Sequence, residues 1–244
     1  MAFPEALIEA SRRNWLFIIR AWAVHLYTSL GLICAFFAFA AILNHNAQAT
    51  FIALAIAMVI DATDGSLARA WKVKVWAPTF DGRKLDDIID YMTYAFIPLF
   101  FMWEFEMVSQ AGLVVLFICM ITAAYGFCND SAKTRDGYFT GFPNFWDLVV
   151  FYLFLLKTPM LVNEIVLLIC AASIFIPVGF VSYSTRHFRK LTVALSLLYG
   201  VACLILIITF ENPNPFILIG SLVVPLYYVV VSFYLHFKVR QLDH

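Results

Sequence analysis

Eight apolar runs fill most of the 244-residue chain, at about 22–43, 48–71, 82–103, 112–128, 144–156, 164–183, 191–210 and 216–237. Polar, proline or asparagine stretches separate them. A hydrocarbon layer about 30 Å thick is crossed by a helix of about 20 apolar residues. Lipid offers no partners to backbone N–H and C=O groups, so such runs must be helical. The predicted fold is therefore all-α and polytopic, with about eight transmembrane helices. Composition agrees: 63% of residues are hydrophobic and 13% charged, against about 45–50% and 25% in soluble domains. No sizeable soluble catalytic domain fits beside eight spans. The fifth run is short; it begins in the loop at Gly141 or extends past Pro159. No internal repeat, low-complexity tract or linker divides residues 1–244, which predicts a single membrane domain.

Ahead of the first run, Leu7, Ile8, Trp15, Leu16 and Ile18 alternate with Arg12, Arg13 and Arg20. That pattern suits an amphipathic helix over residues 1–20, lying on the membrane surface. It lacks the order of a removable signal peptide. Eight spans put both termini on one side, and the basic residues then segregate. Fifteen of the sixteen Lys and Arg residues fall at the termini or in the loops after spans two, four and six, leaving only Lys157 opposite. By the positive-inside rule, the termini and those loops are cytoplasmic. A net charge of zero excludes a polybasic nucleic-acid binder. The five cysteines lie inside apolar runs without ligand spacing and read as small core hydrophobes.

Carboxylates interrupt this pattern at the cytoplasmic ends of spans two and three. Asp61 and Asp64 lie roughly 60° apart on one helix face, shared with Gly65 and Ala68 and bordered by Arg69. Gly82, Asp86 and Asp90 recur every four residues and form a second stripe. Facing each other, the two stripes gather four acids that would repel without cations. Such oxygen donors suit one or two divalent ions, Mg²⁺ or Mn²⁺, with positions left for substrate phosphate. The small residues allow a ligand to approach the backbone, and Arg69 can supply a charged fork. For Asp81 and Asp87, pairing with nearby bases is an equal alternative.

Asp61-Ala-Thr-Asp64-Gly65-Ser-Leu-Ala68-Arg69, then twelve residues, then Gly82-Arg-Lys-Leu-Asp86-Asp-Ile-Ile-Asp90, resembles the complete signature of the CDP-alcohol phosphotransferase family. All eight fixed positions match, although the gap before Gly82 is longer than in many members. The resemblance implies transfer of a phosphatidyl or phospho-alcohol group from a CDP-linked donor to an alcohol, with CMP leaving. It implies that Asp61, Asp64, Asp86 and Asp90 are metal ligands, and that Asp61, Gly65, Ala68, Arg69 and Gly82 line CDP. It implies further that Asp90 takes the acceptor proton, that the enzyme sits in a bacterial inner membrane with a cytoplasmic site, and that it is a homodimer.

A second stretch, 125–147, follows span four on the same side and is rich in aromatics, including a Gly141-Phe142-Pro143 element. It resembles members of the family that use CDP-diacylglycerol as donor and choline as acceptor. A trimethylammonium group offers no N–H, so its site should present ring faces with a carboxylate or amide nearby. The aromatic candidates are Tyr125, Tyr138, Phe142, Trp146 and Tyr183, with Asn129, Asp130 and Asp147 as polar company. Lys133, Arg135 and Arg186 are candidates for the donor phosphates. His25 and His187 read as structural or interfacial. Two alternatives stay open: serine as the acceptor, which Lys133 and Arg135 would favour, and a cation transporter built on intramembrane carboxylates.

Overall fold

A computed structural model of the chain describes residues 5–129, 139–176, 179–180 and 189–240. The first helix, α1 (Glu5–Leu43), runs without a break through the surface segment and the first span. The two were expected as separate elements. No proline or glycine stands between Glu5 and Gly31 to separate them, so good helix formers carry the turn pattern straight through. Thirty-nine residues make a helix about 58 Å long, well beyond the hydrocarbon.

The next helix, α2 (Ala47–Ala70), starts at Asn46, whose side chain accepts the N–H of Ala49 at 2.9 Å. It packs along α1 through small residues, with Ala35 and Ala38 of α1 and Ala53 and Ala57 of α2 all buried. Such residues let two membrane helices approach closely. The long gap in the acidic signature folds as a short helix, α3 (Val73–Trp76), docked on the first half of α1. Val73 and Ala77 pack with Ala21 and Val24, and Trp76 stacks on Phe17 at 4.8 Å. The extra residues therefore brace α1 and leave both acidic stripes undisturbed.

The third span has three parts. Asp81 caps α4 (Gly82–Asp90) by accepting the N–H groups of Arg83 and Lys84. A π-helical turn, Tyr91–Phe96, follows, and α5 (Ile97–Glu104) completes the span. Pro98 explains the break. It has no N–H to donate and its ring would clash with the carbonyl of Tyr94 in a regular helix, and the wider turn bonds Ile97 N–H back to Met92 instead.

The fourth, fifth and sixth spans are α6 (Gly112–Cys128), α7 (Trp146–Leu155) and α8 (Met160–Ser173). The short fifth span starts later than expected and stops before Pro159. At its start Asn144 has φ +59° and ends the non-helical approach, and Lys157 at φ +51° closes the other end. Gly141 has φ +85°, and a Cβ there would strike the Ile174 carbonyl, so this loop requires glycine. A two-residue ribbon, β1 (Phe139–Thr140) against β2 (Gly179–Phe180), ties the loop after α6 to the loop after α8. It does not alter the fold class. The chain ends with α9 (Arg189–Ile208), α10 (Pro215–Ser221) and α11 (Val223–Arg240).

Among the described residues, each of the eight apolar runs thus corresponds to helix, and the protein is an all-α polytopic membrane protein. Three segments, Asn14–Leu43, Ala47–Ala70 and Pro215–Ser232, are long and apolar enough to cross by themselves. Leu26, Phe36, Val59, Ile121 and Phe216 are well exposed, as lipid-facing side chains must be. Inside, Phe51 meets Phe101, Phe151 and Phe210 at centroid distances of 5.0 to 5.7 Å. Ten residues further along α2, about 15 Å at 1.5 Å per residue, stands Asp61. The aromatic core therefore holds one end of the bundle while the acids gather toward the other.

Candidate active site

The last third of α2 faces α4 and the π-helical turn across a small cleft. Its lining includes Thr28 and Gly31 from α1, Asp61 and Asp64 from α2, and Asp86 and Asp90 from α4. One carboxylate oxygen each of Asp61, Asp86 and Asp90 lies within 4.8 Å of the other two. The i, i+4 spacing of Asp86 and Asp90 puts both on the face toward α2. Three negative oxygens this close repel one another strongly where water is scarce. On this face Arg83 pairs with Asp87 at 3.8 Å and Lys84 with Asp81 at 3.9 Å. Asp81 and Asp87 thus take the structural alternative, a cap and a surface pair. Hard oxygen donors at this separation fit a divalent cation.

Asp64 stands beside this trio and is the most buried of the four acids, at 6% exposure. Its Oδ2 accepts a 2.6 Å hydrogen bond from the Thr28 hydroxyl of α1. Asp61 is held in the same way: its Oδ2 accepts a 2.8 Å bond from the Tyr94 hydroxyl. Two of the four acids are therefore oriented by hydroxyls from other segments, as ligand carboxylates commonly are. Neither Thr28 nor Tyr94 was singled out from sequence. Tyr94 had a signal, since it extends the Gly82, Asp86, Asp90 series by one more step of four. Thr28 had none, because its role exists only once α1 crosses α2.

Gly82 and Ala68 lie against side chains of α1 and α3. A Cβ on Gly82 would lie 2.7 Å from Cε1 of His25. His25 is buried, with its ring 4.4 Å from that of Phe80, which agrees with a structural role. Ala68 packs beside the α1–α3 contact. Gly65 lies next to Arg69, whose Nη2 donates to Ser66 at 3.0 Å, and Arg69 is exposed at the end of α2.

Among the described residues, the candidates for the acceptor stand in separate surroundings. Tyr125 is half exposed and packs on Phe175 at 5.1 Å, and Asn129 ends α6. Trp146 is fully buried, its indole N–H donating to Asn144 at 3.2 Å, so it belongs to the helix core. Asp130, Lys133, Arg135, Tyr138, Tyr183, Arg186 and His187 lie outside the described residues. Asp147, in the first turn of α7, is buried, and its Oδ1 has no hydrogen-bond partner.

Comparison with known proteins places this geometry. Residues 23–178 match the family model described as CDP-alcohol phosphatidyltransferase. The chain is 34% identical over 230 residues to the phosphatidylcholine synthase of Borreliella burgdorferi, covering 91% of this chain and 97% of that one. It is 36% identical over 223 residues to the phosphatidylcholine synthase of Legionella pneumophila, covering 88% of each. The phosphatidylcholine synthase of Pseudomonas aeruginosa is 33% identical over 201 residues, or 82% of this chain and 84% of that one. With the family model spanning well over half of the chain and the acidic signature complete, this protein belongs to the CDP-alcohol phosphatidyltransferase family.

Proposed function

We propose that the protein transfers the phosphatidyl group of CDP-diacylglycerol to the hydroxyl of choline, forming phosphatidylcholine and releasing CMP. The observation that carries this reading is the extent of the likeness. Similarity to relatives named phosphatidylcholine synthase covers up to 91% of the chain, well beyond the family-model match. A choline acceptor also agrees with a cleft whose described charges are acidic.

In this reading Asp61, Asp64, Asp86 and Asp90 hold two divalent cations, Mn²⁺ or Mg²⁺, against the donor diphosphate. When bound, these cations neutralise charge on the transferring group and on the leaving CMP oxygen. Thr28 and Tyr94 fix the carboxylates that do the holding. Gly65, Ala68, Arg69 and Gly82 border the cytidine side, where Arg69 meets CDP from the exposed end of α2. Asp90 accepts the proton of the choline hydroxyl as that oxygen attacks phosphorus, since an alcohol is a poor nucleophile at neutral pH without a nearby base. A donor with two acyl chains suits a site placed between membrane helices, because the chains stay in lipid while the head group reacts. The site faces the cytoplasm of a bacterial inner membrane, and the 244 residues act as one domain in a homodimer.

Expression in a bacterium that makes no phosphatidylcholine tests this. Labelled choline is expected to enter a lipid that migrates as phosphatidylcholine, only in cells carrying the chain. Label in no lipid, or a new lipid formed without choline, would reject choline as the acceptor.

A further inference from the structure

The reaction as described leaves one buried acid without a task. Asp147 is 5% exposed, lies in the first turn of α7 and has one carboxylate oxygen without a hydrogen-bond partner. The N-terminal end of a helix favours an acid, yet a charge inside a membrane protein needs a counter-charge, and such residues are functional by default. Among the described ion pairs none involves Asp147.

Its neighbours say what that counter-charge is. Phe145, two residues before it, packs edge-on against Tyr94 with ring centroids 6.0 Å apart. The hydroxyl of the same Tyr94 holds Asp61, and α7, whose first turn carries Asp147, packs against the π-helical turn that carries Tyr94. One side chain thus connects the carboxylate cleft to the start of α7. A primary ammonium would ask for three acceptors, whereas the described surroundings offer aromatic rings and one unpartnered carboxylate oxygen. A quaternary ammonium asks for negative charge and ring surface alone. Choline has only two carbons between its charge and its hydroxyl, so its counter-charge must come from a segment packed on the reacting carboxylates' own helix, as α7 is on the turn that follows Asp90.

We propose that Asp147, backed by Tyr94 and Phe145, is the counter-charge for the quaternary ammonium of the acceptor and sets its preference for a cationic alcohol. This rests on the choline reading above.

The test compares choline with its neutral carbon isostere, 3,3-dimethyl-1-butanol, as acceptors for the purified full chain with CDP-diacylglycerol and Mn²⁺. The wild type is expected to prefer choline in kcat/KM. Asp147→Asn is expected to lose that preference by about tenfold or more, the scale on which removing one member of a buried charge pair acts. The loss should appear in the choline KM, with the KM for CDP-diacylglycerol unchanged. Asp147→Glu keeps the charge and should keep the preference. A merely structural role would depress both acceptors alike. Three results would overturn the proposal: an Asp147→Asn enzyme that still prefers choline, equal losses on both acceptors, or two variants that both fail to be stabilised by CDP. A wild type that uses neither acceptor but turns over another alcohol would instead reject the choline reading beneath it.

Discussion

Replacing Thr28 by valine removes a single hydroxyl from the interior while keeping its shape. That hydroxyl donates at 2.6 Å to Oδ2 of Asp64, and both residues are buried, at 7% and 6% exposure. A hydrogen bond to a charged acceptor contributes about 1.5–3 kcal/mol, and about 1.4 kcal/mol corresponds to a factor of ten. If the bond serves to hold Asp64 in ligating position, Thr28→Val should weaken divalent-ion binding by one to two powers of ten, the usual range for partners of metal ligands. Binding of Mn²⁺ to the detergent-purified protein, followed by electron paramagnetic resonance, measures this directly, and the Mn²⁺ dependence of activity should shift in parallel. Thr28→Ser restores the donor and should restore both. A Thr28→Val protein that binds Mn²⁺ as tightly as the wild type would refute the reasoning.

Asp90→Asn should keep CDP binding, seen as stabilisation by CDP in a thermal melt, and abolish transfer; an active variant would remove Asp90 from the proton-accepting role. Gly82→Ala should lower thermal stability by about 1–3 kcal/mol, the usual cost of overpacking, since its new methyl would meet the His25 ring at 2.7 Å. Adding His25→Ala should recover part of that loss, and full additivity of the two would contradict the contact. Chelation with EDTA should abolish activity and added Mn²⁺ should restore it, as measured by CMP release; activity that survives exhaustive chelation would contradict metal dependence.

Much of the site was legible because helices repeat. The spacings of three and four among Asp61, Asp64, Gly82, Asp86 and Asp90 are themselves geometric statements, and α2 and α4 realise them. The apolar runs were legible for the same reason, since lipid leaves the backbone no choice but helix. What the sequence did not show came from contacts between segments far apart in the chain. Thr28 reaches Asp64 only through the crossing of α1 and α2. The nearness of Gly82 to the His25 ring likewise depends on how α4 meets α1. The unbroken α1 was missed because an amphipathic stretch on a surface and one continuing into a span share the same pattern. The third run reads as one continuous span, and the π-helical turn directly after Asp90 depends on what the carbonyl freed by Pro98 can bond to. Tryptophan suits both a ring-lined site and a core, and the burial of Trp146 and its bond to Asn144 depend on a turn that its own position does not reveal.

The most direct measurement is the stoichiometry of the purified enzyme given CDP-diacylglycerol, Mn²⁺ and an equimolar mixture of choline, serine, glycerol 3-phosphate and inositol phosphate. The account predicts one CMP released for each phosphatidylcholine formed, with the other acceptors unused. CMP released in step with a different phospholipid, or no CMP at all, would contradict it.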